Sequence, residues 1–193
     1  HVRVNADIDS EKRFSSIPFE AHGHVAFDSA TIGAFVAHGA VFNGLLSFKG
    51  ATIRGNFELT SVQGEEIATR DDAPKQVKHI IHRAMCRGYI DAQAITVDGN
   101  FEISGVRLDA PPQKPTALDL YGAHIRQSMF IIPFDGVDQV DAGGKTRSRH
   151  IVTEMEDGAL HLVNARIEGD VFIRELVLGR GGTAIAAEGA SVA

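Results

Sequence analysis

The sequence predicts an all-β protein, a right-handed parallel β-helix whose coils of about 21 residues stack into a solenoid. Three observations lead there. The stretch 117–131, ALDLYGAHIRQSMFI, has siblings at 159–173 (ALHLVNARIEGDVFI), 45–59 (LLSFKGATIRGNFEL) and 89–103 (YIDAQAITVDGNFEI). Within each copy apolar residues alternate, as in Leu118, Leu120, then Ala123, Ile125, then Met129, Ile131, and alternation at period two means strands with one buried face. The phase slips at Tyr121-Gly122, so a corner falls there, and glycine tolerates the positive φ that corners demand. Small Ala and large Ile or Phe take turns facing inward, which fills a narrow interior without voids. Stepping by six from Val41 gives Ser47 and then Ile53 with no sustained aliphatic column, so the hexapeptide period of left-handed helices is missing.

Taken in order, residues 2–8 read as a degenerate copy and 9–16 as a polar loop. The first full copy is 24–38, HVAFDSATIGAFVAH, with Val25, Phe27, Ala30, Ile32 and Val36 on the pattern and His38 breaking its final aliphatic position. Copies start at 24, 45, 89, 117, 159 and 184, separated by 21, 44, 28, 42 and 25 residues. Those intervals read as one 21-residue unit, or two, with variable insertions, within a single domain over 1–193. The first insertion, 62–88, places Val77, Ile80, Ile81, Ala84 and Met85 at helical spacing after Pro74. This predicts a short amphipathic helix over 75–87 packed on the solenoid flank. The second, 133–156, carries DGVDQVDAGGKTRSRH and reads as a long surface loop. A proline-rich kink at 110–115 is a smaller outward loop. The chain ends on what reads as half a copy, so further coils are expected after Ala193, or else end-to-end self-association, because an uncapped solenoid exposes strand edges.

Composition narrows the function classes. Neutralising phosphates needs a basic face, and 25 acidic against 19 basic side chains with a formal charge of −6 argue against a general nucleic-acid binder. The single Cys86 excludes an intrachain disulfide framework. No apolar run approaches the roughly 20 residues of a transmembrane helix.

The segments at 22–44, HGHVAFDSATIGAFVAHGAVFNG, and 160–190, LHLVNARIEGDVFIRELVLGRGGTAIAAEGA, resemble bacterial β-helix proteins built from degenerate pentapeptide-like units. The resemblance covers the coil segments and excludes both insertions. It implies the same fold, and some look-alikes carry the label of membrane-associated oxidoreductase. The strict Ala-Asp/Asn-Leu pentapeptide of gyrase-protecting proteins is absent, since Thr52, His124 and Arg166 follow the alanine in the clear copies. The DNA mimicry of those proteins is therefore not implied.

Several constellations bear on chemistry. His79, His82 and Cys86 fall at i, i+3 and i+7; on a helix they share one face and form a candidate metal site, weighed against ordinary helix packing. His22 and His24 point the same way on a strand but lack a third ligand. Gly143-Gly144-Lys145-Thr146 ends like a phosphate-binding loop, yet Gln139 stands where the motif needs glycine. Neither a dinucleotide fingerprint nor a nucleophile elbow occurs, so no cofactor or catalytic residue is assigned. Glu65-Glu66 and Asp71-Asp72 read as solvated pairs. The alignable outward column of Lys49, Gln93, Tyr121 and Val163 is mixed in character. The sequence thus favours a structural or protein-interaction scaffold that presents its insertions to a protein partner or a surface. The alternative is a polysaccharide-binding or polysaccharide-cleaving β-helix enzyme.

Overall fold

The computed structural model describes residues 2–4, 19–68, 76–114, 116–140, 146–156, 158–179 and 184–193. All regular structure among them is β, with no helix. The chain visits four parallel sheets in rotation, an arrangement compatible with a parallel β-helix. Face 1 stacks Glu20–Ala21, Val41–Phe42, Met85–Cys86, Arg107–Asp109, Glu154–Glu156 and Val177–Leu178. Face 2 stacks Val25–Ala26, Leu46–Ser47, Ile90–Asp91, Thr116–Asp119, Ala159–His161 and Ile185–Ala186. Face 3 stacks Thr31–Ile32, Thr52–Ile53, Thr96–Val97, His124–Ile125, Arg166–Ile167 and Ser191–Val192. Face 4 has longer strands, Phe35–His38, Phe57–Thr60, Phe101–Ser104 and Met129–Ile132, flanked by Val2–Val4 and Val171–Ile173.

In-register stacking turns the repeat into columns, because equivalent residues of successive circuits become neighbours. Face 3 buries Ile32, Ile53, Val97, Ile125 and Ile167 one above another. Face 4 buries Phe35, Phe57, Phe101 and Met129, with Ala37, Leu59, Ile103 and Ile131 alongside. The three phenylalanines stack at ring-centroid separations of 4.9 and 4.5 Å. Phe35 rather than Val36 faces inward, which shifts the sequence assignment of that strand by one residue. The corner between faces 2 and 3 repeats a left-handed residue in each circuit: Ser29, Gly50, Ala94, Gly122, Asn164 and Gly189, with φ between 53° and 66°. Gly122 sits where the sequence placed a corner.

The insertions differ from expectation. Residues 76–87 are not helical; Gln76–His82 is a strand that pairs antiparallel with Val62–Ala68 to form hairpin one. Val77, Ile80 and Ile81 satisfy helical spacing, but they are β-branched and find a strand partner, so the extended state wins. The second insertion is also a hairpin, with Phe134–Val140 antiparallel to Thr146–Ile151. Both insertions end before the sequence pattern resumes, since Met85–Cys86 and Glu154–Glu156 are strands of face 1. Glu65 and Glu66 fall on the first strand of hairpin one, whereas Asp71, Asp72 and the Gly143 to Lys145 segment lie outside the described residues.

Candidate functional site

Both hairpins leave the stacked sheets at one corner, between faces 4 and 1, in circuits separated by a single uninterrupted turn. That intervening circuit turns at Gly105, φ 63°, where a Cβ would sit 2.5 Å from Phe134 Cβ and 3.2 Å from Ser61 Oγ. Glycine is needed there for conformation and for space at once. The hairpins then dock on each other. Gln63 Oε1 accepts the Val137 N–H at 2.7 Å, and Ile81 lies against Gly136, where a Cβ would come within 2.8 Å of its Cδ1. A contact between residues 74 apart in sequence therefore helps join the two insertions into one projecting flange.

Buried hydroxyls close the two necks. Ser61, 2% exposed, donates to Gly105 O at 2.8 Å and accepts the Ala84 N–H at 3.1 Å, spanning the base of hairpin one. Thr153 Oγ1 donates to Ile132 O at 2.8 Å across the base of hairpin two. Arg83 ties one neck to the other through Val152 O at 3.0 Å and Glu154 at 3.1 Å. Replacing Ser61 with alanine strands a buried N–H, and a loss of about 2 kcal/mol is expected in urea unfolding; a change below about 0.5 kcal/mol contradicts this role for the hydroxyl.

The outward column of face 4 runs Val36, Glu58, Glu102, Phe130, Phe172. Glu58 and Glu102 are cross-strand neighbours on adjacent strands, which lie about 4.8 Å apart, an arrangement that carboxylate repulsion disfavours. Glu58 is held by Asn56 Nδ2 at 3.0 Å and His38 Nε2 at 3.2 Å. Burial, and then the charge of Glu58, raises the pKa of the half-buried Glu102 above the ordinary carboxylate value, with His38 opposing. Phe130 and Phe172 continue the column as a stacked pair, 5.1 Å apart and 2° from parallel.

Because the folded Glu102 holds its proton more tightly than the unfolded chain does, stability falls as pH rises from the ordinary carboxylate value through the raised one. Glu102→Gln is expected to flatten that slope and to add about 0.5 kcal/mol at neutral pH, a figure reduced for solvent screening. Chemical denaturation across the acid range reads both effects. An unchanged slope, or a less stable variant, contradicts the carboxylate repulsion.

The three sequence-proposed metal ligands are not gathered on one face. His79 and His82 lie on a strand, where a separation of three residues sends side chains to opposite sides. His79 Nδ1 is 3.2 Å from Gln63 Nε2. Cys86 is wholly buried in the face 1 column with Phe42, Leu108 and Met155; burial pushes its thiol up to about 12. His24 Nδ1 accepts the Leu45 N–H at 2.9 Å, and His22 lies 3.9 Å from Glu20. Among the described residues no three His, Cys, Asp or Glu side chains are grouped so as to hold a metal ion. No helix long and apolar enough to cross a membrane occurs there either.

Sequence reasoning missed Ser61, Thr153 and the Glu58–Glu102 pair. Only the pair left a signal, the twin segments GNFEL at 55–59 and GNFEI at 99–103, which register makes adjacent. Set against family models, curated proteins and solved structures, the chain matches none of them.

Proposed function

We propose that this chain is a right-handed β-helix scaffold, with coils of about 21 residues, that presents the docked hairpins to a protein partner. The handedness follows the strong preference of parallel crossover connections, and the resemblance to pentapeptide-like solenoids agrees with it. The observation that carries the reading is the meeting of two distant insertions at one corner, through Gln63, Ile81, Gly136 and Val137. Separate surface loops have no need of shared packing, whereas a composite recognition surface does. The test is affinity capture with the intact chain and with a variant in which residues 63–81 and 134–151 are replaced by short turns, leaving Ser61 and Thr153 in place. Loss of specific partners with the shortened chain, its circular dichroism still that of a β protein, is the expected result. Unchanged recovery refutes the reading.

The Glu58–Glu102 pair favours polysaccharide cleavage along face 4 as a second reading. Glu58 and Glu102 stand on adjacent strands, whose spacing of about 4.8 Å is close to the carboxyl separation of a retaining glycosidase, with the carboxyl of raised pKa as acid and the hydrogen-bonded one as nucleophile. Glu102 would pass its proton to the glycosidic oxygen as Glu58 bonds the anomeric carbon and the glycosidic bond breaks. Water would then displace Glu58 and return a proton to Glu102. Glycan-array binding and product release that disappear in Glu58→Gln support this reading. Absence of both removes it.

A further inference from the structure

Hairpin two has a second attachment to the solenoid, and it runs through one imidazole. His150 Nδ1 lies 2.6 Å from Asp135 Oδ1, and its Nε2 lies 2.6 Å from Glu175 Oε2. Asp135 is the cross-strand neighbour of His150 within the hairpin. Glu175 belongs to the solenoid itself, at the corner that follows Val171–Ile173 on face 4. A neutral imidazole has one donor nitrogen and one acceptor nitrogen, whereas carboxylates only accept. Engaging both at once therefore requires the doubly protonated, cationic ring.

Glu175 is unusual for its position. The same corner in two other circuits is turned by Gly39 and Gly105, each with φ 63°, yet Glu175 adopts φ 49° with a side chain attached. A non-glycine residue held in the left-handed region marks a place where surrounding contacts override local preference. At this corner, as at Ser29 and Ala94 between faces 2 and 3, the stacking of successive circuits imposes the turn, and the Glu175 side chain reaches His150 from it. Among the described charged residues adjoining these in sequence, Arg147 and Arg149 alternate to the opposite side of the hairpin strand from His150, and Arg174 adjoins Glu175. The ring is 42% exposed, so it exchanges protons with solvent directly.

We propose that His150 is a proton-operated clasp: when protonated it ties hairpin two to the solenoid corner at Glu175, and when it loses its proton the tie opens and the flange loosens. The hydrogen bonds to Asp135 and then Glu175 raise the pKa of His150 above its ordinary value. The contact is therefore complete below the ordinary imidazole value of about 6.5 and is lost as pH climbs through the raised value. The clasp deepens the scaffold reading by adding control over how the flange is held. It needs no partner for its test, so its failure and the failure of that reading are distinguishable.

The experiment is amide hydrogen exchange of the whole chain, corrected for intrinsic rates, alongside NMR titration of the His150 ring. At about pH 6 the amides of Phe134–Val140 and Thr146–Ile151 are expected to open roughly threefold less often than at about pH 9. His150→Gln, which cannot take up the charge, is expected to exchange at the faster rate at both pH values. Glu175→Gln is expected to bring the ring titration back towards the ordinary value. Equal corrected exchange at both pH values overturns the clasp, as does an ordinary ring titration in the unmodified chain.

Discussion

Phe57→Ala is expected to remove about 4 kcal/mol of stability, the largest loss of any single replacement considered for this chain. Phe57 is wholly buried and packs against Phe35 at 4.9 Å, Phe101 at 4.5 Å and Phe48 at 5.1 Å, centroid to centroid. Truncation forfeits the transfer free energy of a phenyl ring and leaves a cavity that stacked circuits cannot close, because each ring is held by the strand register of its neighbours. Phe57→Leu, which keeps most of the volume, is expected to lose only about 1.5 kcal/mol. Urea unfolding of both variants reads the difference. A Phe57→Ala loss under about 1 kcal/mol contradicts the interior assigned to face 4.

Gly105→Ala is expected to be nearly as damaging, with a loss of about 3 kcal/mol that combines left-handed strain with steric overlap. The added methyl would meet Phe134 Cβ at 2.5 Å, and Phe134 begins hairpin two, so backbone must move for the change to be accommodated. Gly122→Ala supplies the control. Its φ is 62°, almost the same, but nothing lies within 4 Å of the new carbon. Only the conformational penalty of about 1 kcal/mol is expected there. Equal losses at the two positions would mean that Gly105 is not wedged between the hairpin necks. The Gly105 variant is also expected to expose the amides of hairpin two to exchange, an effect absent from the Gly122 variant.

The parts of the fold that sequence foresaw are those where one chemical rule acts alone. Alternation in 117–131 placed Leu118, Leu120, Ala123, Ile125, Met129 and Ile131 inside, and all six are buried. The insertions were harder because two rules compete over short runs. Val77, Ile80 and Ile81 fit a helix by spacing and a strand by their branching, and the partner that decides the matter, Val62–Ala68, is revealed only by folding. Hairpin two gave no such cue, since Phe134, Val137 and Val140 recur every third residue rather than alternately and the polar composition of 133–156 resembled a loop.

The candidate sites were hidden for a different reason. Ser61 and Thr153 look like loop residues in one dimension, and their value lies in closing necks between segments that the sequence separates. Glu58 and Glu102 lie 44 residues apart, yet they are cross-strand neighbours once register is known. Cys86 illustrates the converse. Its spacing from His79 and His82 suggested a ligand, but its column places it between Phe42 and Leu108 as one more apolar side chain.

The docking of the two hairpins rests most directly on the Val137 N–H, which donates to Gln63 Oε1 at 2.7 Å across the junction. Site-resolved amide exchange of the intact chain and of Gln63→Ala measures it. A protected Val137 amide in the intact chain that becomes at least about tenfold faster in Gln63→Ala, with Phe134 and Gly136, whose N–H groups face the other strand, still protected, is the result expected of a single flange. A Val137 amide that exchanges freely in the intact chain, or equally in both proteins, would mean that the insertions project independently.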